Sequence, residues 1–220
     1  MPFVFAALLC VFAVVYAFVR HGGSLLSRVF FKCAASVMCV LLAVSVRTGA
    51  PGGYYVLILC GLCASLAGDA VLLFTDRGDG FMMAGMAAFA AAHGLYIAAF
   101  WTIASPSWVD AVFFAALMTL GVSLLRAQRV KAGRSTAVLF AYIALLCAMA
   151  ARGISMLWVG GMPVLFGAFA AAGGVLFAAS DLLLGIEQRT GGKAAGSLST
   201  IAYYMAQGLI AFTVMLAAPQ

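Results

Sequence analysis

Five ionisable residues stand inside long apolar stretches of this 220-residue chain: Asp69, Asp181, His93, Lys32 and Arg152. Two carboxyls in different surroundings can divide acid and base work. One, withdrawn from water, keeps its proton and acts as general acid; the other stays ionised, stabilises developing positive charge and then activates a water. His93 is a second candidate proton carrier. Polar partners recur nearby at helical spacing. His93 and Tyr96 are three apart, and Tyr203 and Gln207 are four apart, so each pair shares a helix face. Tyr142 and Tyr204 are further hydroxyls within apolar runs. An isolated Asp, His or Tyr in such a run also serves simply as a hydrogen-bonded link between helices, and Lys32 or Arg152 can extend to the nearest aqueous surface.

The stretches that hold these residues dictate their solvent. The chain is 66% apolar and only 8% charged, with mean hydropathy +1.17. A soluble domain carries roughly 25% charged residues, so hydrocarbon must cover most of this surface. In hydrocarbon the backbone satisfies its own hydrogen bonds, as helices or as a closed barrel. Long unbroken apolar runs exclude the alternation of a barrel strand. Eight runs are near the roughly 20 residues that span a bilayer: 3–19, 29–46, 53–74, 81–104, 108–125, 136–158, 163–186 and 198–217. The reading is an all-α integral membrane protein, a bundle of eight transmembrane helices forming one domain over residues 1–220. Ionisable groups in a bilayer cost about 2.5 kcal/mol or more each, which is why the five above are the first candidates for function.

Charge gives orientation. Arg20 and Arg28, Arg77, then Arg126, Arg129, Lys131 and Arg134, then Arg189 and Lys193 all fall in odd-numbered connections, with Arg47 the exception. Lys and Arg concentrate on the cytoplasmic side, so both termini are expected outside. Topology and anionic lipid account for the net charge of +6, and nucleic acid is not expected as a partner. The first run has no positive charge before it and reads as a retained helix rather than a signal peptide. With no transit peptide, a bacterial inner (cell) membrane is expected, with membrane lipids as surroundings. Oligomeric state is not legible.

The six cysteines all lie in apolar runs, and Cys60-Gly-Leu-Cys63 reads as packing rather than a redox or metal site. Asp76, Asp79 and Asp110 lie in or beside loops and read as solvated. With only His21 and His93 present, a three-His zinc site is impossible; a set of His93, Asp69 and Asp181 stays open, and no metal or other cofactor is expected.

Ser65-Leu-Ala-Gly-Asp69 closes the third run and Ser180-Asp181 the seventh, each Asp followed by aliphatics and, about two dozen residues later, a polar-aromatic pair. Either a four-plus-four parallel repeat or chance likeness of two Leu/Ala-rich segments gives this pattern. Repeats commonly set their site where the copies meet.

Taken together, Ser65 to Asp69, Phe89 with His93 and Tyr96, Gly174 with Phe177 and Ser180-Asp181, and Tyr203-Tyr204 with Gln207 resemble the YhhN-like lysoplasmalogenase family across nearly the whole chain. Lys32 and Tyr142 match its looser positions, although Cys33 stands where the family often has Pro. The resemblance implies eight transmembrane helices and hydrolysis of the vinyl ether bond of lysoplasmalogens, giving a fatty aldehyde and glycerophosphoethanolamine or glycerophosphocholine. A lysophospholipid is the implied substrate. That chemistry needs an acid to protonate the alkene carbon, an anion beside the oxocarbenium ion and one water. Asp69 and Asp181 are expected to share these tasks, with His93 as alternative acid. Tyr96 or Tyr203 would orient water, Gln207 the glycerol hydroxyls, and Lys32, Arg77 or Arg189 the phosphate; Tyr142 and Tyr204 complete the expected substrate-binding set. A proton-coupled carrier of small solutes or lipids is the alternative, since intramembrane Asp and His also mark proton relays.

Overall fold

The computed structural model describes residues 1–47, 49–127, 134–159 and 161–217, with backbone alone at 127 and 134–136. Arg129 and Lys131 lie outside the described residues. Among the described residues eight α-helices follow in order: α1 (Pro2–Val19), α2 (Leu25–Ser45), α3 (Gly52–Leu72), α4 (Asp79–Ile103), α5 (Trp108–Ala127), α6 (Arg134–Ser155), α7 (Val164–Thr190) and α8 (Lys193–Leu216). All eight contain a stretch long and apolar enough to cross a membrane. The chain is therefore a multi-pass helical membrane protein.

Local chemistry sets the ends. Pro2 begins α1, where its missing N–H breaks no helical bond. Ser24 caps α2 by accepting from the Ser27 amide at 3.2 Å. Gly191 ends α7 in the left-handed conformation, φ 68°, open to glycine at little strain. Several helices outrun their apolar segments. Helix α2 starts four residues before Val29, α7 continues through Glu187-Gln188-Arg189, and α8 starts at Lys193 rather than Leu198. The apolar run marks the part that needs hydrocarbon, while the helix continues into the polar zone.

Helix α8 is the axis of the bundle. It packs on α1, α2, α3 and α7 and buries Tyr203, Tyr204, Ala206, Gln207, Ile210, Ala211, Thr213 and Val214. Small residues bring its neighbours close. A Cβ added at Gly173 would stand 2.8 Å from Ile210 of α8, and one at Gly174 would stand 2.9 Å from the Ala150 Cα of α6. The adjacent glycines thus let α7 press against two helices at once. At Gly68 the missing side chain makes room for the Phe89 ring of α4.

Helix α5 is peripheral and packs mainly on α6. An internal ion pair fastens it: Arg152 of α6 reaches Asp110 at 3.1 Å, and Ser155 donates to Asp110 at 2.5 Å. Arg152 also donates to the Phe100 carbonyl at 3.2 Å and to that of Ala104, at the end of α4. Three expectations are corrected here. Asp110 is a paired interhelical acid rather than a solvated one, and buried Arg152 joins three helices rather than reaching for the surface. Cys60 and Cys63 are likewise exposed on α3 instead of packed inside.

Candidate active site

Around Asp69 of α3 the polar groups converge from two other helices. Its Oδ1 lies 3.2 Å from Lys32 Nζ of α2. Its Oδ2 accepts from Ser36 Oγ, also of α2, at 2.6 Å and from the Tyr203 hydroxyl of α8 at 2.6 Å. The side chains of Lys32 and Asp69 are 12% and 3% exposed, so the ion pair is largely shielded from bulk water. Lys32 therefore turns inward to a carboxylate rather than outward to the surface. Tyr204 donates to the Lys32 carbonyl at 2.9 Å and stands 3.2 Å from Ser36 Oγ, which fixes α8 against α2.

Behind Tyr203 the donors continue in one direction. Tyr96 of α4 donates to Gln207 Oε1 at 2.7 Å, and Gln207 Nε2 donates to the Tyr203 hydroxyl at 3.0 Å. Tyr96 to Gln207 to Tyr203 to Asp69 is thus an oriented chain ending on the carboxylate. Hydrogen bonds in such a chain polarise one another toward the anion.

Asp181 of α7 has different company. Tyr142 of α6 donates to its Oδ2 at 2.5 Å, and His93 Nε2 of α4 lies 3.4 Å from the Tyr142 hydroxyl. Because that hydroxyl gives its one proton to Asp181, His93 Nε2 suits the role of donor to it. His93 Nδ1 is buried with no hydrogen-bond partner among the described residues. Among the described residues no cation stands within ion-pair distance of Asp181.

Both carboxyls line one cavity of about 500 Å³. Its walls come from the C-terminal ends of α1, α3 and α7 and the N-terminal ends of α2, α4, α6 and α8, so it belongs to one end of the bundle. Met82, Met86, Leu72, Leu139 and Leu184 supply apolar wall, and Arg20, Arg28, Asp76, Glu187 and Gln188 supply polar lining. Phe89, Phe177 and Tyr203 meet edge to face, with ring centroids 5.4 to 6.2 Å apart, and His93 sets its ring 4.6 Å from Phe177. This aromatic cluster locks α4, α7 and α8 beneath the acids. Near the rim Arg20 bonds Glu187 at 2.5 Å and Thr200 at 2.7 Å, and also the Gly196 carbonyl, tying α1, α7 and α8 together.

The expected residues fall into two groups. Asp69, Asp181, Lys32, Tyr142, Tyr203 and Tyr204 line the cavity. His93 stands one hydrogen bond behind Tyr142, Gln207 one and Tyr96 two behind Tyr203, and none of the three is among its lining residues. Arg77 and Arg189 are not lining residues either; Arg77 stacks on Phe74, 4.8 Å from the ring centroid. Asp69, Asp181 and His93 do not gather as a metal set, and among the described residues no three His, Cys, Asp or Glu side chains do. Sequence reasoning missed Ser36 and Arg28. Ser36 lies four residues after Lys32 and Arg28 four before it, so all three share a face of α2; that spacing was the available signal.

Eight apolar helices enclosing a cavity with two unlike carboxyls define a polytopic membrane protein with a polar pocket at one end of its bundle. The chain belongs to the YhhN family, whose family model matches residues 27–214. No curated protein and no solved structure matches it.

Proposed function

We propose that this protein is a membrane hydrolase that cleaves the vinyl ether bond of a lysoplasmalogen. The observation that carries the reading is the unequal surroundings of two acids that line one cavity. Asp69 has a lysine counter-ion and two hydroxyl donors on its oxygens, an environment that favours carboxylate. Asp181 has a tyrosine hydroxyl and no cation among the described residues. A carboxyl without counter-charge in an apolar wall is suited to carry the proton.

The chemistry follows from that division. Asp181 transfers its proton to the alkene carbon two bonds from the ether oxygen, leaving an oxocarbenium ion. The Asp69 carboxylate stabilises that cation from across the cavity. Water adds to the cationic carbon and a carboxylate takes its proton. The resulting hemiacetal collapses: its hydroxyl proton leaves, the carbon–oxygen bond to glycerol breaks, and the glycerol oxygen is protonated. The balance is vinyl ether plus water to aldehyde plus alcohol, with both acids restored. Tyr142 and His93 hold Asp181 in place, Tyr203, Gln207 and Tyr96 hold Asp69, and the methionine and leucine wall receives the alkenyl chain. A cell membrane that supplies lysolipid to the cavity would be its setting.

The test is incubation of the purified protein with 1-alkenyl lysophosphatidylethanolamine and, separately, with its saturated 1-alkyl analogue. Fatty aldehyde from the first and none from the second is the expected result. Intact substrate, or uptake into proteoliposomes without aldehyde, would overturn the reading and favour a carrier.

A further inference from the structure

Among the described residues three cations line the cavity: Arg20, Arg28 and Lys32. Two have partners. Lys32 is paired with Asp69 at 3.2 Å, and Arg20 is bonded to Glu187 at 2.5 Å and to Thr200 at 2.7 Å. The third differs. Among the described residues Arg28 forms no ion pair and its shielded Nε has no hydrogen-bond acceptor. A guanidinium on a cavity wall without an acidic partner is a charged donor that a ligand oxygen would complete.

Its position along α2 gives the ligand a direction. Arg28 precedes Lys32 by four residues, on the same face and about 6 Å nearer the helix start. That rise is comparable to the length of a glycerol phosphate spacer. The planar guanidinium also presents paired N–H donors that match two phosphate oxygens.

We propose that Arg28 anchors the phosphodiester of a lysophospholipid whose ether linkage lies between Asp69 and Asp181. This inference rests on the lipid-hydrolase reading of the same cavity. It also reassigns the phosphate contact from Lys32, whose ammonium is held by Asp69.

Binding of non-hydrolysable lipids tests it without requiring turnover. The probes are 1-alkyl lysophosphatidylethanolamine and 1-alkylglycerol, which lacks the phosphate, titrated in detergent by calorimetry. The wild-type protein is expected to bind the phospholipid more tightly. Arg28→Gln should weaken that binding about 10- to 100-fold and leave alkylglycerol unchanged. Unchanged phospholipid binding, or equal loss of both lipids, overturns the proposal. Should Arg28→Gln fail to fold, Arg28→Lys decides: severalfold weaker phospholipid binding supports the guanidinium contact, and wild-type binding overturns it. Competition separates the sources of phosphate. Glycerophosphoethanolamine displacing the lipid at lower concentration than inorganic phosphate supports a head-group site; equal potency overturns it. Failure of the two readings is distinguishable. Phosphate-dependent binding through Arg28 without any aldehyde release sinks the hydrolase and keeps the anchor. Aldehyde release with a wild-type KM in Arg28→Gln sinks the anchor alone.

Discussion

His93 and Tyr96 stand three residues apart on α4, yet their side chains serve different carboxyls. His93 approaches Tyr142, which donates to Asp181. Tyr96 donates to Gln207, which donates to Tyr203 and so to Asp69. One turn of one helix therefore supports both acids, through two chains that run to different neighbours.

If the two acids divide proton transfer and charge stabilisation, neither can be spared. Asp69→Asn and Asp181→Asn should each lower kcat for aldehyde release by about 10²- to 10⁴-fold. A coupled aldehyde dehydrogenase assay reads the rate, and a monodisperse gel-filtration peak shows that the bundle has assembled. Near wild-type turnover in either variant would remove that acid from the mechanism.

Residues that hold the two acids in place should have smaller effects. Tyr142→Phe deletes the donor to Asp181, and Tyr203→Phe deletes one of the two hydroxyls on Asp69. Each should lower kcat about 10-fold or more, in line with one lost hydrogen bond to a charged or reacting group. Gln207→Leu should lower it less, because Tyr203 keeps its own bond to Asp69. Steady-state kinetics on the three variants would check the order, and a larger loss in Gln207→Leu than in Tyr203→Phe would contradict it.

Lys32→Met leaves the Asp69 carboxylate without its counter-ion in a shielded site. Breaking a buried pair by removing one partner costs about 3 kcal/mol or more. The variant should unfold earlier in a thermal or denaturant titration in detergent. The double variant Lys32→Met, Asp69→Asn should recover part of the loss, since no charge is then left unpaired. A double variant no more stable than Lys32→Met would show that the pair's charge is not what matters.

Two glycines offer a matched contrast. A Cβ at Gly153 would stand 2.5 Å from the Ala170 carbonyl oxygen of α7, whereas one at Gly94 would meet nothing within 4 Å. Gly153→Ala should force α6 from α7 and destabilise by about 1–3 kcal/mol. Gly94→Ala should be neutral or raise stability by up to about 1 kcal/mol through helix propensity. Melting temperatures of the two variants would settle the contrast.

The helices were legible because hydrocarbon imposes a long uninterrupted apolar requirement, and residues 53–74 or 81–104 satisfy it without ambiguity. Their ends were less so. Glu187 and Arg189 read as loop residues by polarity but continue α7, with Glu187 held by Arg20. Polarity marks the edge of the hydrocarbon, not of the helix. In the site, the acids stood out because a charge in an apolar run is costly. Ser36 did not, because a serine among Ala, Val and Cys looks like packing until Asp69 of another helix is seen 2.6 Å away. Arg28 was read only as a topological charge, and its place on the cavity wall depends on how α2 is rotated. The pairing of Asp110 is hidden for a related reason: its partner Arg152 is 42 residues distant in sequence, and nothing in either local segment announces the other.

The two hydrogen-bond chains share a mechanical base. Since both begin on α4, a tilt or slide of that one rod disturbs the footing of both acids together. Interference with both would then need no occupant in the cavity. A molecule wedged against the outer face of α4, or a bilayer whose thickness shifts that helix, would degrade the two functions in step.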